Sequence, residues 1–172
     1  MPVRIPLLTL GILVGVVSAS AAQGNAPTAG CPKPESHQFD FWEGDWNVTD
    51  PTGKVVGTNL VTSEEGGCLI HEHWSGGGGS TGQSFNFYET ATGLWNQVWV
   101  DNFGTVLRLS GNYADRVLRL TGVAAGPGGK PQQQRLAFFR NADGSVRQLW
   151  ETSDDEGKTW AVAFDGLYRK KP

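Results

Sequence analysis

The sequence has few charged residues and no basic cluster that could hold a polyanion. Of its 172 residues, 18% are Asp, Glu, Lys or Arg, and the formal net charge is −3. Basic residues are scattered along the chain, apart from Arg169, Lys170 and Lys171 near its end. Proteins that bind nucleic acid carry a positive patch for the phosphates. The composition therefore argues against nucleic acid as a partner.

Long apolar runs are also missing after the first 22 residues, so the sequence predicts no membrane span. Residues 1–22 contain one basic residue, Arg4, followed by a short apolar run and a group of small residues that ends at Ala22. This order is typical of a secretory signal peptide. We therefore predict a cleaved signal peptide and a periplasmic or secreted protein.

Cysteine is scarce, because the chain contains only Cys31 and Cys68. Export places both residues where thiols are usually oxidised. We therefore predict one disulfide between them. It would tie a Gly-, Ala- and Pro-rich flexible leader, residues 23–36, to a folded domain that spans residues 37–172.

No apolar pattern with the period of an α-helix extends over more than about two helical turns of the sequence. Short runs rich in Val, Leu, Phe, Trp and Thr recur instead, and nine turn segments imply ten strands. Short turns permit antiparallel hairpins, and closure removes the sheet edges. We predict an all-β fold, a single antiparallel up-and-down (meander) β-barrel of about 8–10 strands. The turn segments are 51–53, 65–67, 76–79, 91–93, 102–104, 112–115, 124–134, 142–144 and 154–158.

The segment Ser153–Trp160, with the sequence SDDEGKTW, resembles the Asp-box hairpin of sialidase propellers. In such a hairpin Asp155 accepts hydrogen bonds from the turn, Gly157 adopts a positive φ and Trp160 packs under the turn. A propeller needs several copies, and this chain has one. The segment therefore predicts a structural hairpin without a catalytic role.

The segment Phe39–Trp46, with the sequence FDFWEGDW, resembles the F-D-F-W-x-G-x-W opening of a lipocalin-like (calycin-type) group of bacterial exported proteins of unknown function. The likeness extends over most of residues 37–170. The resemblance implies a lipocalin-like barrel preceded by a short helical or 3-10 segment. Further segments that carry it are Gly67-Cys68, Gln97–Asp101, Gln148–Glu151 and Phe164–Tyr168.

Within this opening, Gly44-Asp45-Trp46 is similar to the G-x-W that begins the first strand of lipocalins. The resemblance implies that Trp46 closes the barrel floor beneath an arginine from the last strand, for which Arg169 is the counterpart. The middle T-D-Y motif of lipocalins has no match here. The likeness therefore extends to the architecture and not to membership of the lipocalin family.

Residues 94–101 alternate in a way that indicates a ligand-contacting wall. One face of this predicted strand carries Trp95, Gln97, Trp99 and Asp101, a set that is neither uniformly apolar nor uniformly charged. A filled barrel is expected to show one apolar and one charged face. A mixed aromatic and polar face suits stacking and hydrogen bonding to a small molecule.

The sequence leaves open which residue parity faces the barrel interior. On one predicted strand, either Glu72 and Trp74 or His71 and His73 face inward. The two histidines share a face, but no carboxylate stands at ligand spacing, so the sequence predicts no metal site and no cofactor. On the parity we favour, the ligand-binding residues are Glu72, Trp74, Tyr88, Gln97, Trp99, Asp101 and Trp150.

Together these features favour an exported barrel that binds a small amphipathic or aromatic molecule. One alternative is a structural or protein-interaction module of the envelope. Another is an enzyme that uses Glu72 or Asp101 as a general base whose pKa is raised by burial. No nucleophile elbow, metal motif or phosphate loop supports catalysis. The sequence leaves the ligand and the oligomeric state undetermined.

Overall fold

The computed structural model of the protein describes Met1 and residues 30–172. Apart from Met1, the predicted signal peptide of residues 1–22 lies outside the described residues. The first part of the predicted leader, residues 23–29, lies outside them too. Within the described part of the chain, no helix is long and apolar enough to cross a membrane.

Ten antiparallel strands form a closed barrel in which each strand pairs with the next along the chain and the first pairs with the last. This confirms the predicted all-β meander barrel, at the upper end of the expected strand number. Closure leaves no free sheet edge among these strands. The strands are β1 Gly44–Thr49, β2 Val55–Glu64, β3 Leu69–Gly76, β4 Thr81–Glu89, β5 Leu94–Asp101, β6 Val106–Ala114, β7 Val117–Ala125, β8 Pro131–Arg140, β9 Val146–Ser153 and β10 Ala161–Lys170.

All nine predicted turn segments overlap connections between consecutive strands, although residues 112–114 of the segment 112–115 belong to β6. The segment 124–134 is much longer than the connection that it contains, because β7 and β8 continue pairing as far as Ala125 and Pro131. The remaining turn is closed by a hydrogen bond of 2.7 Å from the Gly126 N–H to the Lys130 carbonyl. Small and polar side chains thus extend a hairpin here instead of forming a loop.

The closure of the barrel pairs Trp46 on β1 with Lys170 on β10. The Lys170 ammonium lies 5.4 Å from the centre of the indole ring. Arg169 pairs instead with Asn47, and successive strand residues face opposite sides of a sheet. The predicted cation over Trp46 is therefore corrected from Arg169 to Lys170.

Aromatic side chains close the end of the barrel at which the chain enters. Short 3-10 helices at Pro34–His37 and Asp40–Trp42 precede β1, as predicted. Phe39 and Trp42 are fully buried and stack at 4.9 Å between ring centres. Phe138 on β8 contacts both rings, at 4.8 and 4.6 Å. We call this end, filled by the 3-10 segments, the closed end.

A disulfide between Cys31 and Cys68 fastens this plug to the start of β3, which confirms the predicted pairing. The Cys31 N–H also donates to the Gly66 carbonyl at 3.3 Å. His37 lies against the same segment, with Nδ1 at 2.9 Å from Asp40 Oδ2 and Nε2 at 3.1 Å from the Cys31 carbonyl. Residues 30–36 of the predicted leader are therefore attached to the closed end.

The Asp-box segment forms the hairpin between β9 and β10. Asp155 accepts hydrogen bonds from the Thr159 N–H at 2.8 Å and from Ser153 Oγ at 2.7 Å. Gly157 has φ +87°, and its carbonyl accepts from the Trp160 indole at 3.0 Å. These hydrogen bonds, those from Thr159 first, lower the pKa of Asp155 to about 2. The contacts are local to the turn.

Candidate functional site

A cavity of about 280 Å³ lies inside the end of the barrel opposite the aromatic plug, which we call the open end. The β3–β4 turn, including Gly76 and Gly77, borders the cavity. Leu107 and Leu136 contribute apolar lining from β6 and β8. Six of the seven predicted binding residues line it, and they are Glu72, Trp74, Gln97, Trp99, Asp101 and Trp150.

Aromatic rings form much of the cavity wall. Trp74 on β3 meets Phe164 on β10 edge to face, with 5.7 Å between ring centres. The Trp150 indole N–H donates to Gln134 Oε1 at 2.8 Å. Because this hydrogen bond fixes the indole, the ring plane is held in place before any molecule enters. The wall therefore offers preorganised surfaces for stacking.

Glycines inside the strands give these tryptophans the space that they occupy. A Cβ atom at Gly57 would lie 2.6 Å from the Trp74 ring, and one at Gly76 would lie 2.7 Å from Trp74 Nε1. A Cβ atom at Gly82 would overlap the Trp99 ring. None of these glycines was predicted as a site residue. For Gly57 and Gly82 the available signal was a glycine within a strand pattern, since such glycines mark close approaches, whereas Gly76 was predicted to lie in a turn.

A chain of buried polar side chains leads to Glu72, whose exposed fraction is 4%. Gln97 Nε2 donates to Asn86 Oδ1 at 2.8 Å, and Asn86 Nδ2 donates to Ser84 Oγ at 2.8 Å. Ser84 Oγ then donates to Glu72 Oε2 at 2.6 Å. Asn59 Nδ2 donates to the other carboxylate oxygen at 2.8 Å. Each donor points toward the carboxylate, and such chains strengthen their members.

Burial raises the pKa of Glu72 to about 7, although the hydrogen bonds from Ser84 and Asn59 oppose this rise. Tyr168 lies on the same cavity and donates its hydroxyl proton to Gln148 Oε1. Burial first, and then the charge of Glu72, raises the pKa of Tyr168 well above its usual value. The base of the cavity therefore holds a neutral phenol beside a carboxyl group that gains or loses its proton near neutral pH.

Asp101 differs from Glu72 because it is part of a turn at the open end. Its Oδ1 accepts the backbone N–H groups of Phe103 and Thr105, each at 2.9 Å. Burial raises the pKa of Asp101, but the hydrogen bonds from Thr105 and Phe103 outweigh this effect, and the net shift is downward. A carboxylate with a lowered pKa is a weaker base. The geometry thus favours Glu72 over Asp101 as a proton acceptor.

Of the seven predicted binding residues, Tyr88 is the one that does not line the cavity. Tyr88 is two residues beyond Asn86 toward the closed end, where its ring lies 6.0 Å from that of Trp95. Asp165 forms a two-point ion pair with Arg147 through contacts of 2.8 and 2.7 Å. Tyr88 faces the interior, on the same side of β4 as Asn86, but it lies nearer the closed end. Asp165 points outward, because Phe164 before it on β10 faces the cavity.

Four residues of the site were not predicted from the sequence, and they are Asn59, Ser84, Phe164 and Tyr168. These residues reach Glu72 or the cavity from β2, β4 and β10. No local pattern identifies them, because their proximity depends on pairing between strands. Gln148, two residues before Trp150 on β9, also lines the cavity.

No protein-family model matches this chain, and no curated protein matches it. The closed meander barrel is consistent with a lipocalin-like fold. Barrels of this kind host many unrelated functions, so the fold by itself does not identify an activity. The function must therefore be inferred from the cavity and the residues that line it.

Proposed function

We propose that this protein is an exported binding protein for a small amphipathic or aromatic molecule held at the open end of the barrel. One observation carries the proposal: a preformed cavity combines three tryptophans, Trp74, Trp99 and Trp150, with the buried carboxyl group of Glu72. Small-molecule sites are typically concave and largely apolar, with a few polar groups that fix the orientation. This cavity has that composition.

The lining indicates what kind of molecule fits. The indoles provide apolar surface and π faces, which favour a planar ring. Glu72, when ionised, accepts hydrogen bonds and attracts positive charge. The expected ligand therefore has a ring that contacts the tryptophans and a hydrogen-bond donor, preferably cationic, that approaches Glu72.

Three probes with one ring and different charges test this proposal: benzylamine, benzyl alcohol and benzoate. We expect calorimetry at pH 8 to give the order of affinity benzylamine, benzyl alcohol, benzoate, because Glu72 is ionised there. Glu72→Gln should remove most of the preference for the amine. Trp99→Ala should weaken binding of all three probes, whereas Trp160→Phe, a change in the β9–β10 hairpin, should leave it unaltered.

Native mass spectrometry of the purified protein provides an independent readout of a co-purified small molecule. The proposal fails if none of the three probes binds and no bound molecule is detected. It also fails if Trp99→Ala and Trp160→Phe bind the probes equally well, since binding would then lie outside the cavity.

Export is part of the proposal and has two supports. The first is the sequence of residues 1–22, and the second is the Cys31–Cys68 disulfide, because such bonds persist in oxidising compartments. N-terminal sequencing of the protein from a fractionated bacterial host tests this step. A mature chain that begins directly after Ala21 or Ala22 supports export, and an intact Met1 in the cytoplasmic fraction contradicts it.

Catalysis by Glu72 is the second candidate function. It is favoured by a pKa of about 7, which suits a general acid or base at neutral pH. A substrate bound between the tryptophans would place a donor group near this carboxyl. Turnover of a bound molecule that is lost in Glu72→Gln, while binding remains, would replace the binding proposal with an enzymatic one.

The interaction-module alternative is supported by exposed apolar side chains on the outside of β4, β5 and β6. Phe85, Val100 and Val106 are 45%, 49% and 37% exposed. Single exposed apolar residues are common on protein surfaces and need no partner. The cavity therefore carries more weight than this face in assigning a function.

A further inference from the structure

We propose that Glu64, His71 and His73 form a binding site for a divalent transition-metal ion on the outside of the barrel. One potential ligand atom from each residue lies within 4.8 Å of the others. The inward-facing Glu72 stands between the two histidines in the chain, so this site is separate from the cavity. The inference does not depend on the proposed function.

The sheet holds these three side chains on one face. His71 and His73 are two residues apart on β3 and therefore point to the same side, with 4.0 Å between ring centres. On β2, Thr62 is the register partner of His71, and Glu64 follows it on the same face. Glu64 Oε1 reaches back to 3.1 Å from His71 Nδ1. The carboxylate that is missing from the local sequence pattern thus comes from the neighbouring strand.

Neighbouring groups orient the ligands as outer-shell partners do in metal sites. Thr62 Oγ1 donates to Glu64 Oε1 at 2.8 Å. Gln83 Oε1 lies 3.0 Å from His71 Nε2. These contacts leave His71 Nδ1 facing the Glu64 carboxylate.

Both ring nitrogens of His71 therefore face oxygen acceptors. A neutral imidazole carries only one N–H group, so one of the two contacts has no proton to share. A cation bound between His71 Nδ1 and Glu64 satisfies both contacts, because Nε2–H then donates to Gln83. A flipped Gln83 amide is the competing explanation, because its N–H would donate to His71 Nε2 while Nδ1–H donates to Glu64.

The donor set selects the class of ion. Two imidazoles and one carboxylate suit Zn²⁺ and Cu²⁺, whereas Ca²⁺ and Mg²⁺ prefer oxygen ligands. Two ligand atoms that each lie about 2.1 Å from the same ion are at most about 4 Å apart. The three side chains therefore need to move by about 1 Å to bind one ion together. Side-chain exposure is 12% for His71 and 41% for Glu64, which leaves a position open to water. Three protein ligands with an open position are typical of catalytic rather than structural zinc.

Calorimetric titration of the tag-free, disulfide-bonded protein with ZnCl₂ tests the site. We expect one equivalent of Zn²⁺ to bind the wild type, and His71→Asn and His73→Asn each to weaken binding at least tenfold. His37→Asn is the matched control, because His37 is the third histidine of the chain and its ring contacts Asp40 and Cys31. It should bind Zn²⁺ like the wild type. Circular dichroism verifies that each variant is folded.

Imidazole NMR signals provide the second readout. Addition of Zn²⁺ should shift the signals of His71 and His73 but not those of His37. The proposal is overturned if Zn²⁺ does not bind at 1 mM, or if both β3 variants retain wild-type affinity. It is also overturned if Zn²⁺ leaves the imidazole signals of His71 and His73 unchanged, since these histidines then do not bind the ion.

Discussion

Asn59 and Glu72 face each other at the base of the cavity, where Asn59 Nδ2 donates to Glu72 Oε1 at 2.8 Å. The two residues belong to neighbouring strands, β2 and β3, and are 0% and 4% exposed. Asn59 Oδ1 is buried without a hydrogen-bond partner. Burial raises the cost of ionising Glu72, and the hydrogen bonds from Ser84 and Asn59 offset this cost only in part. This relationship makes the stability of the barrel depend on pH.

Stability should fall as pH rises through the range in which Glu72 ionises. The pKa of Glu72 is raised from 4.5 to about 7, so the folded state holds a proton that the unfolded state has already released. Below pH 4.5 Glu72 is protonated in both states. As the pH rises from 4.5 to above 7, the free energy of unfolding should decrease by about 3 kcal/mol. Urea unfolding of the wild type and Glu72→Gln between pH 4.5 and 8 measures this decrease.

The free energy of unfolding of Glu72→Gln should not decrease in this way, and the variant should be more stable than the wild type at pH 8. The exposed Glu89→Gln serves as the control and should retain the wild-type dependence on pH. Parallel curves for the wild type and Glu72→Gln would show that Glu72 ionises normally in the fold.

Gly82→Ala should displace the Trp99 ring, because the added Cβ would overlap it. We expect the free energy of unfolding to decrease by about 1–3 kcal/mol, as for other overpacked sites, and affinity for benzylamine to fall. Gly77→Ala is the matched control, since its Cβ would meet nothing closer than the Val56 carbonyl at 3.6 Å. Equal effects of the two substitutions on affinity would contradict the role assigned to Gly82.

Replacing both cysteines by serine should destabilise the barrel by loss of loop closure. Cys31 and Cys68 are separated by 37 positions, for which the chain-entropy relation gives about 4 kcal/mol. Thermal unfolding of the wild type with and without reductant should reproduce this difference. The double serine variant should be insensitive to reductant, and a wild type that is equally insensitive would argue against the bond.

Lys170→Ala should cost more stability than Arg169→Ala, because Lys170 lies over the Trp46 ring. A cation–π contact at an exposed site contributes about 0.5–1 kcal/mol. Arg169, opposite Asn47, lacks this contact, and its replacement should have a smaller effect. Denaturant unfolding at low and moderate salt measures the free energy of unfolding of both variants. A larger decrease for Arg169→Ala than for Lys170→Ala would support Arg169 as the cation over Trp46.

The strands, the turns and the disulfide were predictable because each depends on local or compositional signals. Glycine and aspartate mark the turns, and the sequence offers only two cysteines to pair. The position of the cation over Trp46 was wrong by one residue, because strand alternation exchanges the two faces at every step. Sequence alone does not fix this register.

The cavity was predictable on one strand and less so across strands. Gln97, Trp99 and Asp101 share a face of β5, which their alternation reveals. The contact of Glu72 with Ser84 and Asn59 depends instead on how three strands align. The same is true of Glu64 and His71, since the carboxylate lies seven residues before the histidine in sequence and beside it in the hairpin.

The aromatic plug made by Phe39 and Trp42 has a kinetic consequence. Because the floor of the barrel is filled, loading and unloading take place past the opposite rim, where the glycine-rich turn of residues 76–79 stands beside the cavity. For a solute held as proposed, we expect motion of that backbone turn to set the residence time, while the hydrogen-bonded strands stay intact. Shortening or stiffening the turn should slow entry and exit alike and leave the equilibrium affinity nearly unchanged.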